Sequence, residues 1–150
     1  MAKTAKRAEN PLYEELAGCT RGYGERNDCT VKALAVAARI PYEEAHKTLR
    51  GYGRRNGRGF YHHFIVKDLK ERGFKVEPVD IDSFMRKNYY VQGRKNITMY
   101  HFTRFQSVFG NRRFLVKVRG HVATYDGSNG LIDWSANRSL RVMALYEIIG

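Results

Sequence analysis

Ten consecutive residues, Cys29-Thr30-Val31-Lys32-Ala33-Leu34-Ala35-Val36-Ala37-Ala38, carry a single charge. A helix that is apolar nearly all round belongs inside a protein, so this stretch must be covered on most sides by the rest of the chain. Asn27-Asp28 before it supplies two good N-cap residues. Pro41 after it pushes its predecessor out of helical geometry, which stops the helix near residue 39. Cys29 therefore falls in a first helical turn, where unpaired N–H groups and partial positive charge favour the thiolate.

The cover has to come from the downstream chain. Pro41 is suited to open a second helix, with Glu43 and Glu44 in its first turn and Lys47 and Arg50 near its end, as the helix dipole prefers. A glycine-arginine loop occupies 51–59. The spacing of Phe64, Ile65 and Leu69 predicts a third helix over 61–72, ended by Gly73. Residues 74–79 alternate as a strand does. Upstream, a short helix is expected over 12–16 and a loop through Gly18, Gly22 and Gly24. Thr98 is placed to cap a helix over 99–108, with Tyr100, Phe102, Phe105 and Phe109 read as core. Residues 113–125 read as one strand, 126–130 as a turn, 131–135 as a returning strand and 140–149 as a third. Helices first and an antiparallel sheet last is an α+β arrangement. The expected organisation is a flexible basic arm over 1–11 and one domain over 12–150.

The formal charge of +12 favours polyanionic partners, nucleic acid or an acidic protein among them. The cations are spread along the chain, with no dense basic tail. Arg54, Arg55 and Arg58 in the glycine-arginine loop are the natural polyanion or partner contacts. That loop lacks the spacing of a P-loop or a dinucleotide fingerprint, and no cofactor is expected. No metal site is expected either: Cys19 and Cys29 are the two cysteines, and the adjacent His62 and His63 do not share a helix face. No apolar run approaches the roughly 18–20 residues of a membrane span. The N-terminus is basic with no apolar segment behind it, unlike a signal peptide, so residence in the cytoplasm is expected. Cys19 is read as structural.

A cysteine nucleophile needs a base, and the base needs a partner that fixes its tautomer. Of five histidines, His121 stands apart, on a strand directly after Gly120, where a missing side chain leaves room for close approach. If the 126–130 turn contains an odd number of loop residues, His121, Ala123 and Asp133 share one face, and Asp133 can orient the imidazole. An even loop turns Asp133 away and leaves Asp126 as the substitute. The backbone N–H of Cys29 can donate to an oxyanion, with Asn27 or Tyr23 as the second donor.

Asn27-Asp28-Cys29 at a helix start, Gly120-His121-Val122-Ala123-Thr124-Tyr125-Asp126-Gly127 and Leu131-Ile132-Asp133-Trp134 together resemble the papain-like cysteine peptidase superfamily. They are most similar to its small bacteriophage and bacterial members. The NlpC-type wall hydrolases are also similar, with an Asp-Cys helix start and a His-Val strand; in that group a histidine usually stands where Asp133 is here. The resemblance covers roughly 25–50 and 113–135. It implies a papain-like fold, a Cys29, His121, Asp133 triad, hydrolysis of a peptide or isopeptide bond in a protein or peptide substrate, and a bacteriophage source. It also brings one departure: papain-like enzymes often carry an oxyanion glutamine shortly before the cysteine, and no glutamine precedes Cys29. A scaffold of that type without activity, or a nucleic-acid-binding module, are the alternatives.

Overall fold

The computed structural model describes residues 16, 18, 19, 22, 27–55, 57–81, 83, 84, 97–100, 110–127, 135 and 138–150. The basic arm, Tyr23, Asp133 and all of the expected 131–135 strand but Ser135, which lies in a turn, are outside the described residues, as are Phe102, Phe105 and Phe109. Among the described residues, three helices are described end to end, α1 (Cys29–Ala38), α2 (Tyr42–Gly51) and α3 (His63–Glu71), with a sheet formed by β1 (Lys75–Pro78), β2 (Arg113–Val118), β3 (His121–Asp126) and β4 (Val142–Ile149) after them. The strand order is β1-β4-β2-β3, with every neighbouring pair antiparallel. The class is α+β, as the order of hydrophobic periodicities predicts. Among the described residues no helix is long and apolar enough to cross a membrane.

The apolar α1 is buried along almost its whole length, from Thr30 through Ala38 with Lys32 as the exception. It lies on one face of the sheet, against Leu115, Val122 and Ile148, and is backed by Tyr42, Ala45 and Leu49 of α2 and by Ile65 and Leu69 of α3. Leu34 is wholly inaccessible, and burying a side chain of that size is worth about 2 kcal/mol. The opposite face of the sheet carries a second core of Phe114, Val116, Val118, Ala123, Tyr125, Val142 and Leu145, covered by Ile97, Met99 and Phe84. β2 is flanked on both edges and covered on both faces, which is why its sequence is almost continuously apolar. Between Lys117 and Val118 the pairing with β4 slips by one residue, and Met143 is left 57% exposed at that bulge.

Several elements differ from the sequence expectation. Residues 113–125 are not one strand. They form a hairpin, β2 and β3, closed by Arg119-Gly120, with Val118 opposite His121. Gly120 has φ +72°, a conformation open to glycine, so it is there for the turn rather than to clear a strand face. Leu16, Gly18, Cys19 and Gly22 are helical, so Gly18 and Gly22 are not in a loop. Pro41 is the N-cap of α2 instead of its first residue, its extended ψ of 152° leading into the helix. Tyr100 is 40% exposed, whereas Met99 beside it is core. Thr98 forms an isolated bridge with Arg141, and Met99 and Tyr100 after it are helical, where the expected helix begins.

Candidate active site

α1 and β3 run side by side in the same direction. Thr124 Oγ1 donates to the Ala33 carbonyl at 2.7 Å, and the Arg113 guanidinium, on the residue paired with Asp126, donates to the Ala37 carbonyl. One helical turn back from Ala33 is Cys29, and two residues back from Thr124 is Val122. Both steps cover about 6 Å, at 1.5 Å per helical and 3.3 Å per strand residue. Cys29 is thereby brought level with the start of β3, beside Val122 and one residue short of His121. A cavity of about 430 Å³ opens there. Cys29 and Val122 line it together with Lys117 near the end of β2, Gly120 in the turn and His121 at the start of β3. His121 is buried and Cys29 is half-buried. Cys29 and Cys19 are thiols, not a disulfide, and Cys19 packs against the helical core.

The facing wall is Gly59, Phe60, Tyr61 and His62. What holds it there is a clasp between the glycine-arginine loop and the start of α1. The Asn27 side-chain amide donates to the Gly57 carbonyl at 2.9 Å, and Arg54 Nη2 donates to the Asn27 carbonyl at 3.1 Å. Gly57 has φ +76°, which a side chain would oppose. Phe60 continues the wall into α3 by stacking on Phe64, with ring centroids 4.8 Å apart and planes 15° apart. His62 Nε2 lies 3.4 Å from the Tyr146 hydroxyl. Burial, then the nearby Lys117 charge, then His63, hold the His62 pKa below the ordinary histidine value, so its ring is neutral at pH 7.

Asp28 occupies the N-cap position of α1 without capping it through its side chain. Its carboxylate is buried, accepts a hydrogen bond from the Tyr42 hydroxyl at 2.8 Å, and lies 3.6 Å from Lys32 Nζ. The residue types that make good caps are right at this position, but the buried tyrosine competes for the carboxylate and wins.

Of the residues singled out from sequence, Cys29 and His121 both line one cavity, although His121 alternates with Val122 and Thr124 along β3 and so starts from the sheet face away from α1; Asp133 lies outside the described residues. Asp126 is overturned as the orienting acid. It sits five residues along β3 from His121, on the opposite face and roughly 16 Å away at the strand rise; it is buried and pairs in register with Arg113. Asn27 has its amide on Gly57 and is not among the described residues lining the cavity. Arg54 is only 4% exposed and ties down Asn27, so it is a structural residue rather than a surface contact. Arg55 and Arg58 are exposed. Sequence reasoning missed Phe60, Tyr61, His62 and Lys117 as wall residues. The Gly57 to Phe60 segment preceding a histidine was the available signal, but nothing local shows that Asn27 draws it across. Among the described residues no group of three or more His, Cys, Asp or Glu side chains is arranged to hold a metal ion.

Chemically, the cavity offers a thiol at the positive end of a helix, two histidines and a lysine among its lining residues. Set against protein-family models, curated proteins and solved structures, the chain matches none.

Proposed function

We propose that the chain is a cysteine hydrolase of peptidase or isopeptidase type, on a papain-like scaffold. One observation carries the reading. Cys29 and His121, distant in sequence, line the same cavity, the cysteine at the start of a buried helix and the histidine buried at the start of the adjoining strand.

In this mechanism His121 takes the thiol proton of Cys29, leaving a thiolate beside an imidazolium. The sulfur attacks a peptide or isopeptide carbonyl carbon, and the carbonyl electron pair moves to its oxygen, which the backbone N–H of Cys29 faces. The tetrahedral adduct collapses, the C–N bond breaks, and His121 gives its proton to the departing amine. A water molecule then attacks the thioester, losing a proton to His121; the acid is released and the thiol is restored. Asp133 is assigned the task of orienting His121.

Alkylation with chloroacetamide at neutral pH, read by peptide mapping, tests the reading. Cys29 should react at least tenfold faster than Cys19, and His121→Ala should remove that preference. Equal rates in the wild-type protein would overturn it. The second reading, a papain-like scaffold without activity, is favoured by one feature: the Asn27 amide is engaged by Gly57 and not turned towards an oxyanion. An unreactive Cys29 is the result that reading expects.

A further inference from the structure

The active-site cavity adjoins a second hollow of about 300 Å³, lined by Gly53, Arg55, Arg58, Gly59 and Phe60. Gly59 and Phe60 belong to the walls of both. Arg55 and Arg58 are exposed, and neither guanidinium makes an ion pair or side-chain hydrogen bond among the described residues. No Asp or Glu is among the described residues lining either hollow, and Lys117 adds a third cation in the wall of the first.

These two arginines are not on a loose loop. Arg54, between Gly53 and Arg55, is buried and bonded to Asn27. The Arg58 N–H donates to the Arg55 carbonyl at 3.1 Å, and the Asn27 amide holds the Gly57 carbonyl. The same clasp that builds the wall of the active site thus sets out two guanidinium groups next to it. A planar guanidinium with unused donors is matched by a carboxylate, which it can hold through two parallel bonds.

We infer that the active site takes a polypeptide with a run of acidic side chains on one side of the bond it attacks. The inference rests on the hydrolase reading above. Rounded hollows of these volumes are about 8–9 Å across, so their adjoining centres are about 9 Å, or two to three extended residues, apart at 3.3 Å per residue. Carboxylates two to four residues from the attacked carbonyl would reach Arg58 and Arg55. Two cations beside a cleft suit a short acidic run, whereas a nucleic-acid track uses a longer line of cations with stacked aromatic rings.

Chloroacetyl-capped peptides test this on the full chain. One set carries Gly-Gly followed by three aspartates, three serines or three lysines; a second set has the reactive group at the other end. The rate of Cys29 modification is read by mass spectrometry. In one of the two sets the aspartate peptide should react roughly tenfold faster than the serine peptide, and the lysine peptide slowest. The aspartate-to-serine ratio should fall towards one in 0.5 M salt, and in the double variant Arg55→Glu, Arg58→Glu. Equal rates for aspartate and serine peptides in both sets, with Cys29 still outrunning Cys19 towards chloroacetamide, would overturn the inference and leave the hydrolase reading standing. No preference for Cys29 with any probe overturns both. A mixed-sequence single-stranded oligonucleotide that blocks labelling at lower concentration than the aspartate peptide would assign the hollow to nucleic acid instead.

Discussion

The two ends of α1 are each held by buried charged side chains, with opposite results. At the C-terminal end Arg39 turns the chain with φ 57°, and the Arg113 guanidinium donates to the Ala37 carbonyl and to an oxygen of Gly150 at 2.8 Å. A cation there complements the negative end of the helix and satisfies its last carbonyls, so that end is closed. At the N-terminal end the buried anion Asp28 has the right charge for the dipole, but its oxygens go to Tyr42 and Lys32. It fixes where the helix begins without filling the space in front of it, and the cavity with Cys29 and His121 opens there. A buried charge can seal a helix end or hold it open, depending on where its hydrogen bonds are directed.

The contrast can be broken from either end. Arg113→Ala should have the largest effect, about 3 kcal/mol of stability lost in urea denaturation, because two charge-assisted bonds disappear and a buried carbonyl loses a donor. Its effect on Cys29 reactivity should be small. Asp28→Ala removes the buried carboxylate that accepts from the Tyr42 hydroxyl at 2.8 Å and should cost about 2 kcal/mol. Unlike Arg113→Ala, it should also lower the preference of alkylating agents for Cys29. If the two variants change Cys29 reactivity equally, the ends of the helix do not differ in the way described.

Gly120→Ala should cost about 1 kcal/mol. Nothing lies within 4 Å of the added Cβ, so the whole cost is the φ of +72°. A loss of several kcal/mol in thermal unfolding would mean that the turn is packed more tightly than the geometry indicates.

The smallest effect is electrostatic. His62 has a folded pKa below its unfolded one, so the unfolded chain binds the extra proton first. The stabilising contribution is present above about pH 6.5, the unfolded value, and is lost as pH falls through the depressed folded pKa. Stability should therefore drop between pH 7 and pH 5, and His62→Gln should flatten that slope. An unchanged slope would place the acid sensitivity elsewhere.

Much of this was legible in the sequence, for identifiable reasons. An apolar run such as Ala33-Leu34-Ala35-Val36-Ala37 has few alternatives to a buried helix, and α1 ends within a residue of the expected place. Glu43, Glu44 and Arg50 mark the polarity of α2, and β4 falls inside the expected 140–149. The hairpin was hidden because Val118-Arg119-Gly120-His121 continues the alternation of a single strand, with no Asn-Gly or Asp-Gly pair to announce a turn. The site divides in the same way. Cys29 and His121 stand out in the sequence because each has a local setting. The wall of Phe60, Tyr61 and His62 depends on Asn27 reaching Gly57 and on buried Arg54 beneath the loop, contacts between distant segments that no local pattern encodes.

The central claim is that Cys29 and His121 act on one another. The most direct measurement is the pH profile of alkylation at Cys29, tracked by mass spectrometry with Cys19 as the internal reference, in the wild-type protein and in His121→Ala. An ion pair should make Cys29 reactive well below the ordinary thiol pKa of about 8.5, with the profile of His121→Ala moving up towards that of Cys19. Superimposable profiles for Cys29 in the two proteins would contradict it.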